Sequence, residues 1–149
     1  MNTTVRFVES QEELETCLSI RRKVFIEEQG VPEELEIDEL DFPAPNRHVL
    51  LLSEGLPAGT ARIKDLGEGV VKYQRIAILS EYRRQGLGKI LLDGLDRLAV
   101  QLGYRHVKIE AQKYAEGFYH RCGFITTSPE IIMDAGIPHV AMEKDLPVK

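Results

Sequence analysis

With 149 residues, 43% of them hydrophobic and 29% charged, the chain reads as one soluble globular domain over 1–149, and no apolar run reaches the about 20 residues that a membrane-spanning helix needs. A formal net charge of −5 argues against a nucleic-acid binder, whose affinity comes from neutralising phosphates, so any anion-binding chemistry has to be local. The two cysteines, Cys17 and Cys122, read as buried thiols of a reducing compartment, the scattered His48, His106, His120 and His139 offer no metal-ligand spacing, and "MNTTVRFVES" lacks a basic stretch leading into an apolar one, so the expected location is the cytoplasm.

In chain order, "VRFVES" is a short strand ending at Ser10, and Ser10 with Glu13 forms a capping box for the helix that follows. That helix carries Leu14, Cys17, Leu18, Val24 and Phe25 on one face and runs to about Glu28. "EQGVPEELEIDELDFPAPN" then breaks the pattern with Gly30, Pro32, Pro43 and Pro45, and reads as a loop with one helical turn. Its acids Glu33, Glu34, Glu36, Asp38, Glu39 and Asp41 fit either a solvated loop or an electrostatic lure for a cationic amine. Three consecutive strands follow in an antiparallel meander, with turns around Glu54-Gly55 and over Leu66-Gly67-Glu68-Gly69. Leu91, Leu95, Leu98 and Leu102 recur at helical spacing, with Gly103 as the stop. "HVKIEA" is a buried strand, "AEGFYHRC" a short helix closed by Gly123, and "FITTS" and "PHVAMEKDL" are the last strands. The fold class is α/β (α+β): a mixed sheet with helices on its faces.

The chemistry concentrates in "EYRRQGLGKILL", residues 81–92. A strand ending near Leu79, a glycine turn and a helix beginning near Gly88 leave the first helical amides without backbone acceptors, pointing forward with partial positive charge. A phosphate is stabilised by such donors, and glycines let an oxygen approach the backbone where a Cβ would block it. Arg83 and Arg84 add full charges. Two other phosphate loops fail on spelling. Gly88-Lys89 is followed by Ile90 rather than Ser or Thr, and Leu91 stands where a dinucleotide fingerprint needs its third glycine.

The stretch resembles the pyrophosphate loop of the GCN5-related N-acetyltransferases (GNAT), in which Arg or Gln, two residues, Gly, one residue and Gly or Ala correspond to Arg83, Gly86 and Gly88. "QRIAIL" resembles that family's fourth strand, and "EGFYHRCGF", residues 116–124, its later helix. The likeness runs from about Val5 to Met142, and "RRKVFIEEQGVPEELEIDELD" with "GIPHVAME" resembles a bacterial subgroup of the ElaA and YjcF type. The resemblance implies a mostly antiparallel central sheet of six to seven strands flanked by helices on both faces.

It further implies acetyl-CoA as cosubstrate, with no metal, lying in a V-shaped opening between the fourth and fifth strands. Its diphosphate would rest on Arg83, Arg84, Gln85, Gly86, Leu87, Gly88 and Lys89. Backbone groups of Ile76, Ala77 and Ile78 would hold the pantetheine arm and the thioester oxygen, an oxyanion-hole arrangement. Gln112 falls near an amide that binds the cofactor arm, and Tyr119 matches the tyrosine that both touches the cofactor and protonates the departing thiolate. The base is the difficulty, because Gln74 stands where several relatives carry a glutamate and an amide takes no proton at neutral pH. Glu110, Glu27 and Glu28 are substitutes, and a partly deprotonated amine needs none. The acceptor would be a primary amine of a small molecule or peptide; neither nucleic acid nor membrane is an expected partner, while a homodimer through the C-terminal strand is allowed. His48 and His139 are either pocket-lining or core histidines. A non-catalytic acyl-CoA sensor on the same fold and an acyl-homoserine lactone synthase stay open as alternatives.

Overall fold

Ser10 caps the first helix. Its backbone is extended (φ −148°, ψ 163°) and its hydroxyl accepts from the Glu13 amide at 3.2 Å. The Glu13 carboxylate accepts the Glu9 amide and grips Arg6 with both oxygens, so the reciprocal half of the box falls one residue earlier than a regular capping box has it. The computed structural model describes residues 2–38, 41 and 47–147. Its elements are β1 (Thr3–Phe7), α1 (Gln11–Arg21), a π-helical continuation (Arg22–Glu28), α2 (Glu33–Glu36), β2 (His48–Ser53), β3 (Leu56–Gly67), β4 (Val70–Ile78), α3 (Leu87–Gln101), β5 (His106–Gln112), α4 (Glu116–Arg121), β6 (Ile125–Thr126), β7 (Ile132–Asp134) and β8 (Ile137–Asp145). The strand order is β1-β2-β3-β4-β5-β8-β6, with β7 also on β8, in an open and mostly antiparallel eight-stranded sheet flanked by helices. Eight strands exceed the six to seven expected, because the short β7 was not anticipated.

Two compact units share the chain: Met1–Ile63 with Arg75–Leu95, and Lys64–Gln74 with Asp96–Lys149. In the first, β1 pairs antiparallel with β2 from Thr3↔Ser53 to Phe7↔Val49, and β2 pairs antiparallel with β3. Glu54 and Gly55 both have positive φ, 51° and 79°, the conformation a two-residue hairpin turn demands. Val8, Cys17, Ile20, Val24, Leu50, Ala77 and Leu79 form a buried cluster against which Phe25, Leu52 and Tyr82 pack. Gly94 lets α3 approach β1: a Cβ there would sit 2.5 Å from the Val5 Cβ.

The acidic segment is not a solvated loop in this unit. Glu36 and Asp41 are buried with Arg21 and Arg62, all at 3% exposure or less. Arg21 reaches Glu36 at 2.6 Å and Asp41 at 2.5 Å; Arg62 reaches Asp41 at 2.8 Å and Asp38 at 2.6 Å. Arg75, whose φ of 55° is left-handed in mid-strand, adds Glu36 at 3.2 Å and Asp38 at 3.3 Å. Buried charges demand partners, and here each side supplies three. Glu33 and Glu34 remain exposed, and Glu39 lies outside the described residues. His48 is fully buried at the edge of this network, its Nε2 3.8 Å from Asp41 and both ring nitrogens without a hydrogen-bond partner.

In the second unit Val70–Lys72 of β4 run parallel to His106–Lys108 of β5, and β5 pairs antiparallel with β8 from His106↔Asp145 to Gln112↔His139. β6 and β7 both pair with β8. β7 is three residues of which only Ile132 is partly covered, too short for alternation to register, and it turns into β8 at Ala135-Gly136, where φ is 52° and 77°. The Tyr73 hydroxyl donates to Asp96 at 2.8 Å, and Lys144 meets Asp96, the Cys122 carbonyl at 3.0 Å and the Phe124 ring at 4.6 Å. On α3 the buried stripe is Leu87, Leu91, Leu92, Leu95 and Ala99; Leu102, expected on it, follows the helix end and is 56% exposed. Neither cysteine is in a disulfide; Cys17 is buried, which pushes its thiol up to about 11, whereas Cys122 is only half-buried.

Candidate active site

Strand β4 ends at Ile78, a single 3₁₀ turn covers Ser80–Tyr82, and α3 begins at Leu87, so eight residues turn the backbone from strand to helix. The Ile90 amide bonds to the Gly86 carbonyl at 3.3 Å, which makes Gly86 the N-cap of α3. Gly86 has φ +76° and nothing within 4 Å of where a Cβ would project. Arg84 is also left-handed at φ 64°, a conformation that costs a side-chain-bearing residue of order 1 kcal/mol. The first amides of α3, those of Leu87 and Gly88, have no acceptor inside the helix by its own geometry. The turn thus offers open space in front of Gly86, the first helical amides and the cationic side chains of Arg83, Arg84 and Lys89.

Those cations are not equally available. The Arg83 Nε donates to the Ile78 carbonyl at 3.0 Å and its Nη1 pairs with Glu28 at 2.7 Å. Lys89 pairs with Asp93 at 2.8 Å one helical turn on. Gln85 donates to the Glu81 carbonyl at 3.3 Å. The strand end leading into the turn is set by Gly59 on β3, where a Cβ would lie 2.8 Å from the Ala77 carbonyl oxygen and 2.7 Å from Ile78 Cδ1, and by the Leu79 amide bonding to the Ala58 carbonyl at 2.9 Å. Sequence reasoning passed over Gly59, because a lone glycine within a strand pattern does not reveal which backbone it lets in. It also passed over Arg75, next to Ile76, which reaches the carbonyls of Leu35 and Glu36.

The remaining candidates lie in the second unit. Tyr119 is half-buried on α4, edge-to-face with Phe118 at 5.1 Å and Phe124 at 5.9 Å between centroids. Burial pushes its hydroxyl well above the ordinary tyrosine range, with the neighbouring Tyr114 and Cys122 adding to it, so the proton stays on at neutral pH. The carbonyl of Tyr119 accepts the amides of Cys122 and Phe124, which fixes the end of the helix. Gln112 closes β5, partly covered. Glu110 points to the exposed face of β5 and pairs with Lys72 at 3.3 Å. Of the histidines weighed for the acceptor pocket, His48 is buried core and His139 is 9% exposed with Nδ1 against the Ile137 carbonyl. Ile76 to Lys89 are therefore brought together in one unit, and Glu110, Gln112 and Tyr119 belong to the other.

A family model described as an acetyltransferase (GNAT) domain matches residues 8–146. A Bacillus subtilis protein carrying the name of an acetyltransferase is 41% identical over 141 residues, 94% of this chain and 95% of its own. B. subtilis YjcF, an uncharacterised protein named as an N-acetyltransferase, is 35% identical over 136 residues, 91% and 95% of the two chains. Among solved structures, a Lactobacillus plantarum protein carrying the name of an N-acetyltransferase has a TM-score of 0.89 at 28% identity, with 99% of this chain and 100% of its own covered. Escherichia coli ElaA has a TM-score of 0.80 at 25% identity, with 96% and 98% covered. More distant structures, 17% and 18% identical and informative on fold alone, include complexes with coenzyme A. The matches extend over nearly the full length and take in the glycine turn and α4 alike: the chain belongs to the GNAT family of acetyltransferases.

Proposed function

We propose that this protein is an acetyl-CoA-dependent N-acetyltransferase that moves an acetyl group to a primary amine of a small molecule or peptide by direct attack in a ternary complex. The observation that carries the reading is the strand-turn-helix junction in family register, with Gly86 at φ +76° capping a 15-residue helix and open space in front of it. These residues suit a diphosphate, since the turn presents donors and cations and no Cβ obstructs it. The backbone of Arg83 through Gly88 would hold the diphosphate and the backbone of Ile76, Ala77 and Ile78 the pantetheine arm, with Gln112 as a further amide. Acetyl-CoA would supply the acetyl group already activated as a thioester. A backbone N–H at the end of β4 stabilises the oxygen on which negative charge develops. Tyr119 Oη gives its proton to the departing sulfur, and its half-buried place keeps that proton on until it is needed.

No carboxylate is assigned as base. Gln74 cannot serve and Glu110 is engaged by Lys72; the amine is taken up in its neutral fraction, which needs no base. Three of the acids that suggested a lure for cations, Glu36, Asp38 and Asp41, are spent on internal arginines, so that segment gives no ground for preferring a polycationic acceptor. Gln74 in place of a glutamate favours a second reading, a non-catalytic acyl-CoA sensor. The deciding experiment supplies acetyl-CoA with a panel of amino sugars, polyamines, amino acids and peptide N-termini and follows free thiol. Release with one amine class establishes the transferase; tight coenzyme A binding by calorimetry with no release across the panel establishes the sensor; no binding removes both.

A further inference from the structure

Arg83 is held at two points. Its Nε–H donates to the carbonyl of Ile78, the last residue of β4, and its Nη1 meets the carboxylate of Glu28, the last residue of the π-helical segment, at 2.7 Å. Arg83 stands three residues before the Gly86 cap. Glu28 therefore places a negative charge beside the positive group that the turn would present to an anion. Both side chains are more than a third exposed, 41% and 35%, so the pair is open to solvent and weak enough to exchange. The π-helical geometry of Arg22–Glu28 adds a residue to the last turns of the helix and ends it with Glu28 on this arginine.

We infer that Glu28 is a counterion that positions the Arg83 side chain before the cofactor arrives and yields it to the diphosphate, so that binding is an anion exchange at Arg83 and Glu28 sets its affinity. The inference rests on the assignment of the turn to coenzyme A. A diphosphate oxygen accepts from guanidinium N–H groups in the geometry a carboxylate uses, and it brings more charge, so it wins the exchange. The Ile78 carbonyl keeps Nε in place throughout, and the arm does not have to be reordered. Once displaced, the Glu28 carboxylate no longer ties the end of the π-helical segment to the turn, which links cofactor occupancy to the position of that segment.

The test is calorimetric titration of coenzyme A into the full chain and into E28Q, R83Q and the double variant, with thermal unfolding as a check on folding. E28Q removes the competing charge and should tighten binding roughly two- to fivefold, the worth of one exposed ion pair. R83Q should weaken binding, and in its background E28Q should have no further effect. A Glu28 that merely held the fold would, on removal, leave affinity unchanged or weaken it, and either result overturns the inference while leaving the cofactor assignment standing. Tightening by E28Q that persists undiminished with R83Q overturns the exchange at Arg83 as its cause. A wild-type chain that does not bind coenzyme A overturns the assignment of the turn and this inference with it.

Discussion

At Gly86 the conformational freedom of a single residue decides the proposed binding site. Its φ of +76° is one that a Cβ resists, and no protein atom lies within 4 Å of where that Cβ would project. Gly86→Leu meets no neighbouring atom but forces a side-chain-bearing residue to φ +76°, so it is expected to lower the thermal transition by several degrees, the worth of about 1–2 kcal/mol, without unfolding the protein, and to abolish coenzyme A binding by calorimetry. Tyr119→Phe keeps the ring contacts with Phe118 and Phe124 and removes only the hydroxyl. Thiol release should then fall about 100-fold or more, the usual worth of a positioned acid, with the affinity for coenzyme A unchanged. An undiminished rate would take the tyrosine out of the mechanism. Both residues were legible in the sequence because their spacing to neighbouring motif residues is local. The partner of Arg83 was not, because Glu28 lies far from it along the chain and only folding brings the two to 2.7 Å.

Among the elements, α3 shows how far periodicity carries. Leucines at helical spacing announced the helix, and the Gly103 stop holds: its amide bonds to the Val100 carbonyl at 3.0 Å and its φ is 92°. Which leucines would be buried depended on the sheet beneath, and Leu102 is exposed. Gly94 looks like a flaw in a helix, worth about 1 kcal/mol against alanine by propensity alone, yet a Cβ there would meet the stiff, buried Val5 at 2.5 Å. Gly94→Ala should therefore destabilise the protein, by about 1–3 kcal/mol in urea titration. A stabilised Gly94→Ala variant would show that β1 gives way readily. The acidic segment was the least legible element. Its composition announces a solvated loop, and its burial follows from Arg21, Arg62 and Arg75, which lie on three other elements.

For the whole molecule the buried charge network ties stability to pH. Burial, with Arg21 and Arg62 nearby, holds the His48 imidazole down to about 4 from its ordinary 6.5, outweighing Asp41. An unfolded chain takes up that proton first, so stability is full above about pH 6.5 and falls as pH drops toward 4, by up to about 3 kcal/mol. Asp41 extends the loss. Burial raises its pKa, but the hydrogen bond and charge of Arg21, the Asp38 amide and Arg62 together carry it down to about 2 from 3.8, so the pairing fails further as pH falls between those values. Urea midpoints measured from pH 7.5 to 4 should trace the histidine part of this loss. His48→Leu, which removes two buried nitrogens that have no partners, should flatten the curve without lowering stability at pH 7.5. A slope unchanged in that variant would assign the loss to other groups.

The sequence by itself determined most of the elements, β7 excepted, and the phosphate-turn signature, because helix caps, glycine turns and strand alternation are written in residues a few positions apart. It determined the family for the same reason, since the motif pattern of the turn and of α4 is local and in order. Only the tertiary structure decided that Glu36, Asp38 and Asp41 face inward and that Glu28 holds Arg83. A charged side chain has no fixed place until a partner remote in sequence is brought within hydrogen-bond reach, and the cost of burying it alone is what makes that pairing specific.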